Sequence, residues 1–219
     1  MKIFALAALL AGSGFAATIY TNGTPNNLGA SSLSDFEQAD DFTVSSTSNL
    51  TGFRFWSMEV QGAFAGATFW EIRNSALGVP GAIVLASGST APTRTFQSSV
   101  NIGIPVDVYQ NDIAITANGI LASTYWLVLH NGALANTAFV DYYWAWTNPG
   151  GGLTAQEQDL TAPSAWAING NEKAFLISGD PVGVPPGQIP EPGAFVLLST
   201  GLAAVWFGRR QRLANREGK

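Results

Sequence analysis

The stretch Thr51-Gly-Phe-Arg-Phe-Trp-Ser-Met-Glu-Val60 decides the fold. Read with a period of two, Phe53 and Phe55 share one face, while Trp56, Met58 and Val60 share the other. The same reading extends outward. Asp41-Phe-Thr-Val44 alternates, and Thr68 to Arg73 sets Trp70 and Ile72 against Phe69 and Glu71. Ser123 to His130 puts Trp126, Val128 and His130 on one side and Tyr125, Leu127 and Leu129 on the other. Ala82–Ala86 is a short apolar run after the turn Gly78-Val-Pro-Gly81; Ala138–Thr147 and Ala174–Ser178 follow. Short strands rich in Val, Ile, Thr and aromatics, spaced by turn residues, predict an all-β sandwich. Asn169-Gly170, between Trp166-Ala-Ile168 and Ala174-Phe-Leu-Ile177, predicts a hairpin turn. Asn118-Gly119 and Asn131-Gly132 predict further turns.

Composition agrees with a folded body. The chain has 219 residues, of which 47% are hydrophobic, with 13 Phe, 7 Trp and 5 Tyr. That is ample material for one core and argues against disorder. There is no cysteine, so disulfides, thiolate metal sites and cysteine nucleophiles are excluded. Between Ala17 and Ile189, four basic residues face thirteen acidic ones, a net charge of −9. A body that acidic repels the phosphates of nucleic acid and stays well solvated.

Both ends read as addresses. Residues 1–16 have a positive Lys2, an apolar run Ile3–Ala11 and small residues at Gly14-Phe-Ala16, the order found in a secretory signal peptide. Residues 17–179 form the expected β-sandwich. Residues 180–189, rich in Pro and Gly, read as an extended linker. Then come Pro190-Glu191-Pro192, an uncharged run over 193–208, and Arg209-Arg210-Gln211-Arg212. As a helix, 193–208 reaches about 24 Å, short of a bilayer core of about 30 Å. Snorkelling arginines and an interfacial Trp206 close that gap, and Arg209, Arg210 and Arg212 stop the anchor on the cytoplasmic side. Residues 214–219 form a cytoplasmic basic tail.

The last thirty residues resemble the sorting signals of PEP-CTERM proteins. The triplet, the short glycine-punctuated helix and the terminal arginines over 190–213 match that pattern in order. The resemblance implies cleavage near Pro190-Glu191-Pro192 by a membrane protease, exosortase, and delivery to the cell surface or exopolysaccharide matrix of a Gram-negative bacterium. It also implies export across the inner membrane and a transient or stable hold on the lipid bilayer. A looser likeness joins Gln38–Val44, Gly52–Trp56, Gly78–Ala82, Thr124–Leu127 and Trp144–Trp146 to the jelly-roll-like bodies that accompany such tails.

Chemistry-bearing motifs are sparse. Tyr142, Trp144 and Trp146 fall at i, i+2, i+4, so on a strand they line one face. Exposed, such a row stacks on sugar rings of an extracellular polysaccharide; buried, it is core, and core is the favoured reading. Trp56, Trp70 and Trp126 also read as core. His130 is the only histidine and reads as a surface or turn residue. No Gly-x-Ser-x-Gly elbow occurs in the mature chain, so a serine triad has no support. Asp40 and Asp41 point to opposite faces of a strand. Asp35 and Glu37 share one, and with a loop carbonyl they suit a structural Ca²⁺. No other cofactor is expected. The expectation is a non-catalytic envelope or matrix protein, with a carbohydrate-binding module as the alternative and a secreted hydrolase a distant third.

Overall fold

The computed structural model describes residues 17–148, 152, 154–162 and 165–183. The expected signal peptide, the Pro190-Glu191-Pro192 triplet, the 193–208 helix and Arg209, Arg210 and Arg212 lie outside these residues. Within them there is no helix, and the strands form two sheets. The first sheet holds β1 (Thr18–Thr21), β2 (Pro25–Ser32), β4 (Ser48–Glu59), β7 (Thr93–Asn101), β8 (Pro105–Ile120), β10 (Tyr142–Thr147) and β13 (Phe175–Pro181). The second holds β3 (Phe36–Val44), β5 (Thr68–Ala76), β6 (Val79–Thr90), β9 (Ser123–Asn131), β11 (Gln156–Asp159) and β12 (Ala167–Ile168), in the order β12-β11-β3-β9-β5-β6.

The quoted stretch is the spine of the first sheet. β8 pairs along the length of β4, from Ser48↔Ile120 to Glu59↔Asp107. The other edge of β4 is shared. β13 takes it from Ser48 to Phe55, and β10 takes it from Ser57 to Glu59. β1 continues outward from β13, β2 from β10, and β7 from β8.

The alternation read from sequence divides the side chains as expected. Phe53 and Phe55 join Trp70, Ile72, Tyr125, Leu127 and Leu129 in the core between the sheets. Trp56 and Met58 pack with Val106 and Val108 in a second apolar cluster on the outer face of the first sheet. Trp126 and Val128 make a third, smaller cluster with Ala39 on the outer face of the second. The inner core is aromatic and edge-on: Trp144 meets Phe55 at 6.3 Å and Phe175 at 5.7 Å, and Phe53 meets Trp70 at 5.8 Å. Such contacts add about 0.5–1.5 kcal/mol each beyond the area they bury.

Three turn and boundary expectations need correction. Asn169-Gly170 does not close a hairpin, because β12 pairs with β11 in the second sheet while β13 pairs with β4 in the first. That turn is a crossover between sheets. Asn118-Gly119 lies inside β8; Gly119 has φ +67° there, and its N–H donates to Asn49 Oδ1 at 2.9 Å. β13 runs through Pro181, with Asp180↔Asn49 and Pro181↔Ser48, so the first residues of the expected linker are strand.

Candidate functional site

The outer face of the first sheet carries two clefts. Period-two alternation sends Arg54 outward beside Trp56 on β4. Their register partners Asp112 and Gln110 on β8 stand on the same face. The larger cleft, about 580 Å³, is lined by Thr18, Arg54, Thr93, Asp112, Leu176 and Ser178. The smaller, about 340 Å³, is lined by Asn27, Trp56, Gln97, Ser98 and Gln110, among others. Both volumes lie in the range of small-ligand sites.

The polar groups here are bound to one another in a fixed order. Arg54 grips Asp112 with two bonds, Nε to Oδ1 at 2.6 Å and Nη2 to Oδ2 at 3.2 Å. Gln110 Nε2 donates to the same Oδ2 at 2.8 Å. Asp112, the only acid in either lining, is therefore held as a carboxylate by three donors. A glycosidase needs two convergent carboxyls, one free to give a proton. Neither cleft offers that pair. What they offer is hydroxyls, amides, one ion pair, an apolar lining from Phe53, Ile113, Leu176 and Val108, and the 7% of Trp56 that remains exposed. That chemistry suits holding a neutral, hydroxyl-rich ligand.

The residues singled out from sequence fall elsewhere. Tyr142 and Trp144 are fully buried in the inner core, and Trp144 Nε1 donates to the Ala174 carbonyl at 3.0 Å. A register shift between Ala145 and Thr147 breaks the alternation before Trp146. The Trp146 ring instead lies half-buried against Gly29, where an added Cβ would sit 2.2 Å from it, and its Nε1 donates to Ser31 Oγ at 2.8 Å. Tyr142, Trp144 and Trp146 thus form no exposed row, and the stacking surface expected of them is withdrawn. His130 is buried, not at the surface. Its two ring nitrogens face the carbonyls of Gly132 at 3.2 Å and Ser34 at 3.1 Å, pinning two turns.

Asp35 takes a hydrogen bond from Ser32 Oγ. Glu37 is buried on the outer face of the second sheet, and its Oε1 has no hydrogen-bond partner. Burial pushes its carboxyl above the usual range; Arg73 opposes that and Glu71 reinforces it. Among the described residues no three metal-ligating side chains converge.

A buried polar cluster at the crossover was not foreseen. Asp40 Oδ2 accepts from the Lys173 backbone N–H at 2.6 Å and from Asn22 Nδ2 at 3.1 Å. Lys173 is fully buried, and burial pushes its amine down to about 8 against the pull of Asp40, Glu157 and Glu172. Its Nζ donates to Asn169 Oδ1 at 2.9 Å and to the Asn171 carbonyl at 2.6 Å. The sequence held one signal: Lys173 is the only lysine between Lys2 and Lys219.

Neither a known family model nor a curated protein matches this chain.

Proposed function

We propose that this chain is an exported, exosortase-sorted protein of the cell envelope or extracellular matrix, whose body binds and does not catalyse. One observation carries the proposal. Pro190-Glu191-Pro192, the apolar 193–208 run and Arg209-Arg210-Gln211-Arg212 stand in that order behind a body with a signal-peptide-like start. The jelly-roll-like body implied by the looser resemblance is consistent with the two packed sheets. The implied partners are a membrane protease of the exosortase class and, while the anchor persists, the bilayer. The test is the intact mass of protein from the native cell. A chain that begins near Ala17 and lacks the arginine tail is expected. A chain that still ends at Lys219 would overturn processing.

The clefts favour a second reading, a carbohydrate-binding module. Here sugar hydroxyls would meet the amides of Gln97, Gln110 and Asn27, with only an edge of the buried Trp56 at the cleft. Affinity electrophoresis in gels containing the organism's own exopolysaccharide is the direct assay. The body should be retarded, and Gln97→Ala should lose most of the retardation. Equal migration with and without polysaccharide would remove this reading and leave the sorting proposal standing.

A further inference from the structure

The crossover cluster is arranged for a covalent step that neither the sorting reading nor the glycan reading uses. Asn169 has both ends of its side-chain amide engaged. Its Oδ1 accepts from Lys173 Nζ at 2.9 Å and from Ser31 Oγ at 3.2 Å. Its Nδ2 donates to the Glu157 carboxylate at 2.5 Å and to Gln38 Oε1 at 3.2 Å. The Ser31 hydroxyl polarises the carbonyl as an acyl acceptor, and the Glu157 carboxylate on the amide nitrogen is placed to relay a proton to the leaving amine. Lys173 supplies the nucleophile. It is fully buried, and among the described residues its Nζ makes no ion pair. The Asn169 carbonyl carbon lies one bond of about 1.2 Å from the oxygen that Nζ already touches.

We infer that Lys173 and Asn169 close an intramolecular isopeptide bond between Nζ and Cγ, releasing ammonia. The neutral amine attacks Cγ, and the Cγ–Nδ2 bond breaks as the new C–N bond forms. Once Nζ is bonded to Cγ, Glu157 takes its proton and returns it to Nδ2, which leaves as ammonia. No electron is gained or lost, and no co-reactant is required. Because burial holds the Lys173 amine down at about 8, the neutral nucleophile is well populated in mild alkali. Ser31 stays on the carbonyl oxygen throughout, oriented by the 2.8 Å bond from Trp146 Nε1. The product ties the ends of the 169–173 crossover in a chain that has no cysteine.

The experiment is intact-mass and peptide mass spectrometry on the purified full chain, incubated at about pH 8.5. The expected result is a loss of about 17 Da, one ammonia, with no tryptic cleavage after Lys173 and fragments joining 169 to 173. Asn169→Ala should keep its full mass. Glu157→Gln should close at least about tenfold more slowly. A full-mass chain cut normally after Lys173 would overturn the inference. So would the same mass loss with cleavage after Lys173 retained, because that marks a succinimide at Asn169-Gly170.

Discussion

Glu37 is the residue whose environment costs the fold most plainly. It sits buried in β3 with one carboxylate oxygen unpartnered. An unsatisfied buried polar group costs about 1–3 kcal/mol. Its carboxyl is raised, so the folded state holds a proton where the unfolded chain has released it. The contribution to stability is therefore complete in acid and is lost as pH rises through the folded value. Asp40 and Glu59 are pushed the same way by burial. The body should then be more stable near pH 5 than at pH 7. Glu37→Gln removes one of these groups, and its thermal midpoint at pH 7 should rise by the equivalent of about 1 kcal/mol while the profile flattens. Thermal melts from pH 4.5 to 8 check this. A lower midpoint at pH 7 would mean that the ionised carboxylate is needed. Sequence placed Arg73 on a strand and Glu37 on one face with Asp35 but could not show what covers them. Alternation assigns a face; it does not say whether that face is wet. For the same reason His130 reads as a surface residue and is buried.

At the scale of elements, the turn between β5 and β6 is the sharpest departure. Gly78-Val-Pro-Gly81 has turn composition, yet the turn sits at Leu77 and Gly78, with Ala76↔Val79 closing the strands. Leu77 has φ +57° and Gly78 φ +83°, the pair of positive values that a two-residue type I′ turn requires. Val79, Pro80 and Gly81 already belong to β6, where proline is tolerated because β6 is an edge strand. Leucine is poorly suited to φ +57°, and Leu77 is fully exposed, so it has no packing to lose. Leu77→Asn should stabilise the body by about 1 kcal/mol, measured by urea unfolding at constant slope. A loss of stability would mean that Leu77 makes a contact that the geometry does not contain. Other elements were legible in proportion to how clean their alternation was. β4, β5 and β9 read plainly because each buries one phase in the inner core. β8 did not. Val106 and Val108 pack on the outer face, whereas Ile113, Ile115 and Ala117 pack inside, so the apolar phase changes midway. With β8 unseen, Asp112 and Gln110 had no place beside Arg54 and Trp56, and the clefts could not be assembled from sequence.

The whole molecule divides where the sequence changes character. The described residues up to Val182 form one compact unit. The residues of the inner core all come from β1 to β13 and their connections, the last of them Ile177. β13 is held by β4 up to Pro181, and the Val182 N–H donates to the Thr47 carbonyl at 2.7 Å. The described body therefore satisfies its own last strand without help from the residues that follow. A protein cut near Pro190-Glu191-Pro192 must survive without its tail, and this closure is what such a cut requires. A chain ending at Val182 should unfold in a single transition with a midpoint within about 2 °C of the full chain in detergent, because it keeps every residue of the described core. Val182 itself is the sensitive limit. Ending the chain at Gly179 strips the Asp180↔Asn49 and Pro181↔Ser48 pairs, leaves that end of β4 held by β8 alone, and should lower the midpoint by about 4 °C or more. Equal midpoints for the 182 and 179 truncations would show that the last turn of pairing is dispensable. A large drop at 182 would show that the body depends on its tail, and release at the triplet would then yield an unstable product.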